Sequence, residues 1–140
     1  MIETAQTHPL PAPVQAVLGT YPQGARDLLL GLRALIFETA ASLPEVGAVT
    51  ETLKWGEPAY LAKAGTTIRL AWSSKRPDTA GLFVNCQTTL LETWREHYGD
   101  LLDCVGNREI RLPLNQPPPE APLRHCIAMA LTYRKRKPAR

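Results

Sequence analysis

The residues best placed to bind something cluster in Lys54-Trp55-Gly56-Glu57-Pro58-Ala59-Tyr60. Gly56 can adopt a positive φ, while Pro58 fixes its own φ and pushes Glu57 towards an extended shape, so the chain turns sharply between two aromatic rings. Trp55, Tyr60 and the later Trp72 would then wall a small pocket. Lys54 and Asn85 would supply polar anchors, because ligand sites set a few convergent polar groups into apolar walls. The competing reading is a hairpin corner that fills the core, the commoner use of large aromatic side chains.

A second group is acidic. Glu92, Glu96 and Asp100 recur every four residues with His97 beside them, a spacing that can align oxygen ligands for a metal on one helix face. Solvated helix surfaces carry the same rows, and Arg95 and the lack of a second acidic cluster weigh against a tight site. No catalytic residue is assigned, since the chain contains no H-E-x-x-H, P-loop, G-x-S-x-G or glycine-rich dinucleotide fingerprint. His125 and Cys126 are neighbours, but adjacent helical residues diverge by about 100° and do not face each other, so they form no nucleophilic pair by themselves.

The elements that must position these residues follow from hydrophobic rhythm. A short helix is expected over Val14 to Leu18. Leu28, Leu32, Leu35, Ile36, Thr39 and Leu43 fall at helical spacing and predict an amphipathic helix stopped before Pro44. After Gly47 the period changes to two, with Val49, Glu51, Leu53 and Trp55 on one side of a strand. A second strand carries Tyr60 and Ala62, and the two form a hairpin. Ile68 to Trp72 and Gly81 to Cys86 extend this into an antiparallel meander. A polar helix over about Thr88 to Tyr98, a fifth strand around Ile110 to Leu114, and a last helix with Leu123, Ile127, Ala130 and Leu131 inward complete the order. With Leu53, Trp55, Ile68, Leu70, Leu82, Val84, Ile110 and Leu112 on the covered face, Lys54, Arg69, Phe83, Asn85 and Arg111 share the other. That basic face could hold an anion through Arg forks, or pair its cations with strand acids such as Glu109.

Glu51-Thr52-Leu53-Lys54-Trp55-Gly56-Glu57-Pro58-Ala59-Tyr60 resembles the signature of the YdhG-like family, domain of unknown function 1801. Leu28 to Leu43, Gly81 to Phe83, and Gly106-Asn107-Arg108-Glu109-Ile110 match the family's flanking helix, Gly-Leu-Phe-like strand and Gly-x-Arg-x-Ile-type strand. The resemblance runs from about Gly24 to Tyr133. It implies an α+β fold, an antiparallel sheet of about five strands covered by N- and C-terminal helices. It also offers iron as a lead, because one bacterial member is described as a frataxin-like iron chaperone; iron would need surface carboxylates.

Composition sets the remaining bounds. At 140 residues, 44% hydrophobic and 21% charged, the chain has the size and balance of one folded domain. The expected division is a flexible arm over 1–13, a domain over 14–133 and a basic tail over 134–140. The net charge of +3 belongs to that tail: without Arg134, Lys135, Arg136, Lys137 and Arg140 the acids outnumber the cations. Without an accompanying basic body or aromatic platform, a solvated helix end is preferred over a nucleic-acid arm. No apolar run reaches the roughly 20 residues of a membrane span, and no secretory signal opens the chain, so a cytoplasmic protein is expected. Cys86, Cys104 and Cys126 read as reduced, mostly buried thiols. The function these features support is a non-enzymatic small-ligand-binding or accessory module with its surface at the Trp55–Tyr60 corner. The alternatives are a frataxin-like iron-binding chaperone and a nucleic-acid accessory protein using the basic tail.

Overall fold

The sequence's alternating stretches become six strands: β1 (Val49–Lys54), β2 (Glu57–Ala62), β3 (Ile68–Trp72), β4 (Thr79–Phe83), β5 (Asp103–Val105) and β6 (Glu109–Pro113). In this computed structural model, which describes residues 8–136, they form one open antiparallel sheet in the spatial order β1-β2-β3-β4-β6-β5. The helices are α1 (Ala12–Gly19), α2 (Gln23–Ala41), α3 (Leu90–Tyr98) and α4 (Glu120–Leu131), followed by a single turn, α5 (Tyr133–Arg136). The fold is therefore α+β, with one more strand than expected. The extra strand is β5, whose three residues are too few to carry a readable alternation.

Register fixes the faces. Ile68, Leu70, Leu82, Val84, Ile110 and Leu112 point inward and are buried. The inward stripe of α2, including Leu29, Leu32 and Ile36, packs on them, and α4 adds Leu123, Ile127 and Ala130 to the same core. Each buried Leu, Ile or Val among them contributes about 1.5–3 kcal/mol by leaving water. α2 ends at Ala41, where the Ser42 hydroxyl donates to the Thr39 carbonyl; Pro44 disfavours helical backbone at Leu43.

One inward polar position on β1 requires a partner, and finds two. Glu51 accepts a fork from Arg33 of α2, Nε to Oε2 at 2.6 Å and a terminal nitrogen to Oε1 at 2.8 Å, and the Tyr60 hydroxyl donates to the same carboxylate at 2.9 Å. The Arg33 and Glu51 side chains are only 8% and 6% exposed. Burial and the Glu51 charge push the Tyr60 phenol far above its ordinary range. Arg33 also donates to the His8 carbonyl at 2.6 Å, and the His8 ring stacks on Phe37 at 4.0 Å. The described part of the expected arm is thus held against α2, and α1 begins at Ala12, earlier than expected. Residues 1–7 of that arm, and 137–140 of the tail, lie outside the described residues.

Pro58 sits inside a central strand without breaking it. The Lys54↔Glu57 pair closes the hairpin, so the neighbouring Leu53↔Pro58 pair exchanges no β1 hydrogen bond, and β2 begins pairing with β3 only at Ala59.

Candidate ligand cleft on the open sheet face

The hairpin between β1 and β2 turns on two residues, Trp55 and Gly56, with φ of 55° and 76°. Two-residue loops with both central φ positive match the twist of the strands, and they favour Asn-Gly because most side chains resist that conformation. Tryptophan in the first position costs about 1–2 kcal/mol of backbone strain. Burial does not offset it, since Trp55 is 84% exposed. A strained backbone that displays a large indole to solvent is a pattern associated with functional sites.

What the indole does touch is Arg69 on β3, whose guanidinium carbon lies 5.3 Å from the Trp55 ring centroid and 5.4 Å from that of Phe83 on β4. Glu57 pairs with the same arginine, so Arg69 is neutralised and held between two rings. Phe83 in turn lies across Gly81, where a Cβ would meet its ring at 2.7 Å. Farther along the face Arg111 forks onto Glu109 at 3.1 and 3.2 Å. The open face is therefore a mixed lattice of paired charges and rings.

Beside it lies a cleft of about 330 Å³, near the lower end of the roughly 300–1,000 Å³ common for small-molecule sites. Lys54 and Trp55 form one wall. Asn85 and Cys86, just beyond β4, form another; the Asn85 side-chain oxygen accepts from the Gln87 amide at 2.8 Å and fixes that turn. Arg108 comes from the β5–β6 turn, where Gly106 has φ 61°, and its carbonyl accepts from the Val84 amide at 2.8 Å. Arg134 on α5 closes the rim, held where its backbone N–H donates to the Ala64 carbonyl at 2.8 Å. Gly65 makes this junction feasible, because a Cβ there would overlap the Ala130 and Leu131 carbonyls. Among the described residues Lys54, Arg108 and Arg134 have no acidic partner within salt-bridge distance.

Of the sequence-predicted pocket residues, Lys54, Trp55 and Asn85 meet at this cleft, and Gly56 shapes the turn above it. The others are elsewhere. Pro58 and Tyr60 are buried, Tyr60 being the hydroxyl on Glu51, and Trp72 packs near Tyr21 at 5.7 Å with its indole N–H donating to the Pro77 carbonyl at 3.0 Å. Trp55 is also not on the covered face, because the left-handed turn interrupts the strand alternation that would have carried it inward. Arg69 and Phe83 were visible as partners on the open face through that alternation; Arg108 and Arg134 meet the cleft only through tertiary folding.

Glu92 and Glu96 are exposed on α3, while Asp100, also exposed, lies just beyond its Gly99 cap. Among the described residues no three His, Cys, Asp or Glu side chains are grouped to hold a metal ion. His125 is exposed and its Nδ1 is 2.6 Å from the Tyr98 hydroxyl, whereas Cys126 is fully buried and its thiol is pushed up to about 12 by that burial. Cys126 is thus a core residue. Contrary to the expectation of mostly buried thiols, Cys86 is exposed and Cys104 half-buried. Among the described residues no helix is long and apolar enough to cross a membrane. Compared with protein-family models, curated proteins and solved structures, the chain matches none.

Proposed function

We propose that this chain is a non-enzymatic binding module of YdhG-like type, and that its cleft takes a small anionic ligand. One observation carries the reading: three cations without an acidic partner among the described residues, Lys54, Arg108 and Arg134, converge beside an exposed indole. Like charges brought together from separate segments raise the local potential, and an anion relieves it. The two guanidinium groups offer flat forks that suit carboxylate or phosphate oxygens. Besides these cations and the paired Arg69, the cleft wall carries the Cys86 thiol, with no histidine or carboxylate among the lining residues to serve as its general base, which favours binding over catalysis.

Inorganic phosphate titrated at low salt is expected to shift the Trp55 indole N–H resonance saturably, and Arg108→Glu to abolish that response. If both forms ignore phosphate and respond alike in a thermal-shift screen of anions, the reading fails. The iron-chaperone alternative needs carboxylates that converge, and no such group of three is present among the described residues, so we do not advance it. The nucleic-acid alternative shares Arg134 with the cleft but meets carboxylates on the neighbouring sheet face.

A further inference from the structure

Resting on the anion-binding reading of the same cleft, we infer that its ligand is a nucleoside monophosphate, with the base stacked on the outer face of Trp55 and the phosphate among Lys54, Arg108 and Arg134. Three observations lead there. A bare anion has no use for an indole, yet this turn holds one at φ 55° and 84% exposed, where a small polar residue would be relaxed. One face of the ring is taken by Arg69 at 5.3 Å, a cation that Glu57 already neutralises. The exposed surface that remains is an aromatic platform, and a base presents a π-face to it whatever its edge chemistry.

The charge pattern then separates the sizes of ligand. Lys54, Arg108 and Arg134, which have no acidic partner among the described residues, meet at the cleft, while the sheet face next to it carries Glu57 and Glu109 alongside their arginines. A single phosphate fits the first arrangement. A nucleic-acid strand crossing the sheet would bring successive phosphates against those carboxylates, whereas strand-binding grooves keep positive charge along the backbone track. Asn85 stands in the wall beyond β4; its carboxamide oxygen is occupied by the Gln87 amide, and its NH2 has no partner among the described residues, leaving donors for a base edge or a ribose hydroxyl.

The test compares adenosine 5′-monophosphate, ribose 5-phosphate and a single-stranded 12-nucleotide oligomer by calorimetry, on the full chain and on Trp55→Asn. Asparagine tolerates the left-handed turn, so the variant keeps its fold. Stacking predicts that the nucleotide binds the full chain at least about fivefold more tightly than ribose 5-phosphate, and that Trp55→Asn erases this advantage. Equal binding of the nucleotide and ribose 5-phosphate by the full chain overturns the nucleotide assignment and leaves the anion site standing. Binding of none of the three overturns both. An oligomer that binds far more tightly than the nucleotide, with affinity falling steeply as salt rises, overturns the assignment in favour of a strand.

Discussion

The guanidinium of Arg69 is clasped between the rings of Trp55 and Phe83, yet Trp55 remains among the most exposed large side chains of the protein. The contact orients the indole without hiding it. Its stabilising contribution is about 0.5–1 kcal/mol at an exposed site, less than or comparable with the strain of the turn below.

Replacing Trp55 should therefore favour the fold. Trp55→Asn is expected to raise unfolding stability by up to about 1 kcal/mol, since Asn-Gly suits two positive φ angles and relieves more strain than the lost ring contact contributed. Urea denaturation of the two forms checks this, and a loss of more than about 1 kcal/mol would show that the indole is structural.

The Arg33–Glu51 pair behaves in the opposite way. Arg33→Met leaves the Glu51 carboxylate buried with the Tyr60 hydroxyl as its remaining side-chain partner among the described residues, at an expected cost of about 3–5 kcal/mol. Adding Glu51→Leu should recover a large part of that loss, because a buried pair replaced whole by apolar groups is often close to neutral. Additive losses in the double variant, by chemical denaturation, would contradict this account.

Gly65→Ala is expected to destabilise by about 1–3 kcal/mol or more, because its methyl group meets backbone carbonyls of Ala130 and Leu131 that cannot rotate away. The same displacement moves the α5 turn and Arg134 with it, so phosphate affinity should fall alongside the melting temperature. An alanine variant that melts unchanged would show that the junction is looser than its packing indicates.

Alkaline pH should weaken the fold. Burial raises the Cys126 thiol from near 9 up to about 12, and raises the Tyr60 phenol as well. Above pH 9 the unfolded chain releases the Cys126 proton while the folded chain keeps it, so the folded state binds more protons and stability declines as pH climbs towards 12. Denaturation midpoints measured from about pH 8 upward are expected to drop, and Cys126→Ala to begin lower but decline less steeply.

Much of the architecture was legible because it rests on periods. Ile68, Leu70, Leu82, Val84, Ile110 and Leu112 alternate strictly, and α2 repeats at helical spacing, so local pattern and burial agree. The hairpin was legible from Gly56, but not the direction of Trp55, since parity ends where φ changes sign. Tyr60 was drawn into the proposed pocket by its nearness in sequence, although strand alternation sends it inward to Glu51. Arg108 and Arg134 reach the cleft from a turn and a helix end that only the folded chain brings together, and no spacing rule encodes such a meeting.

Ala59, Ala71 and Gly81 lie on the sheet face turned away from the core helices, yet all three are buried. Their shelter is a thatch of neighbouring side chains: Arg69 stands opposite Ala59 in the register, and the Phe83 ring lies across Gly81. A roof of that kind is laid by rotamers and can be lifted by them. An occupant that pulled Arg69 aside would uncover Ala59 beneath it, so the state of the cleft is expected to show in how fast the backbone around Ala59 exchanges its protons.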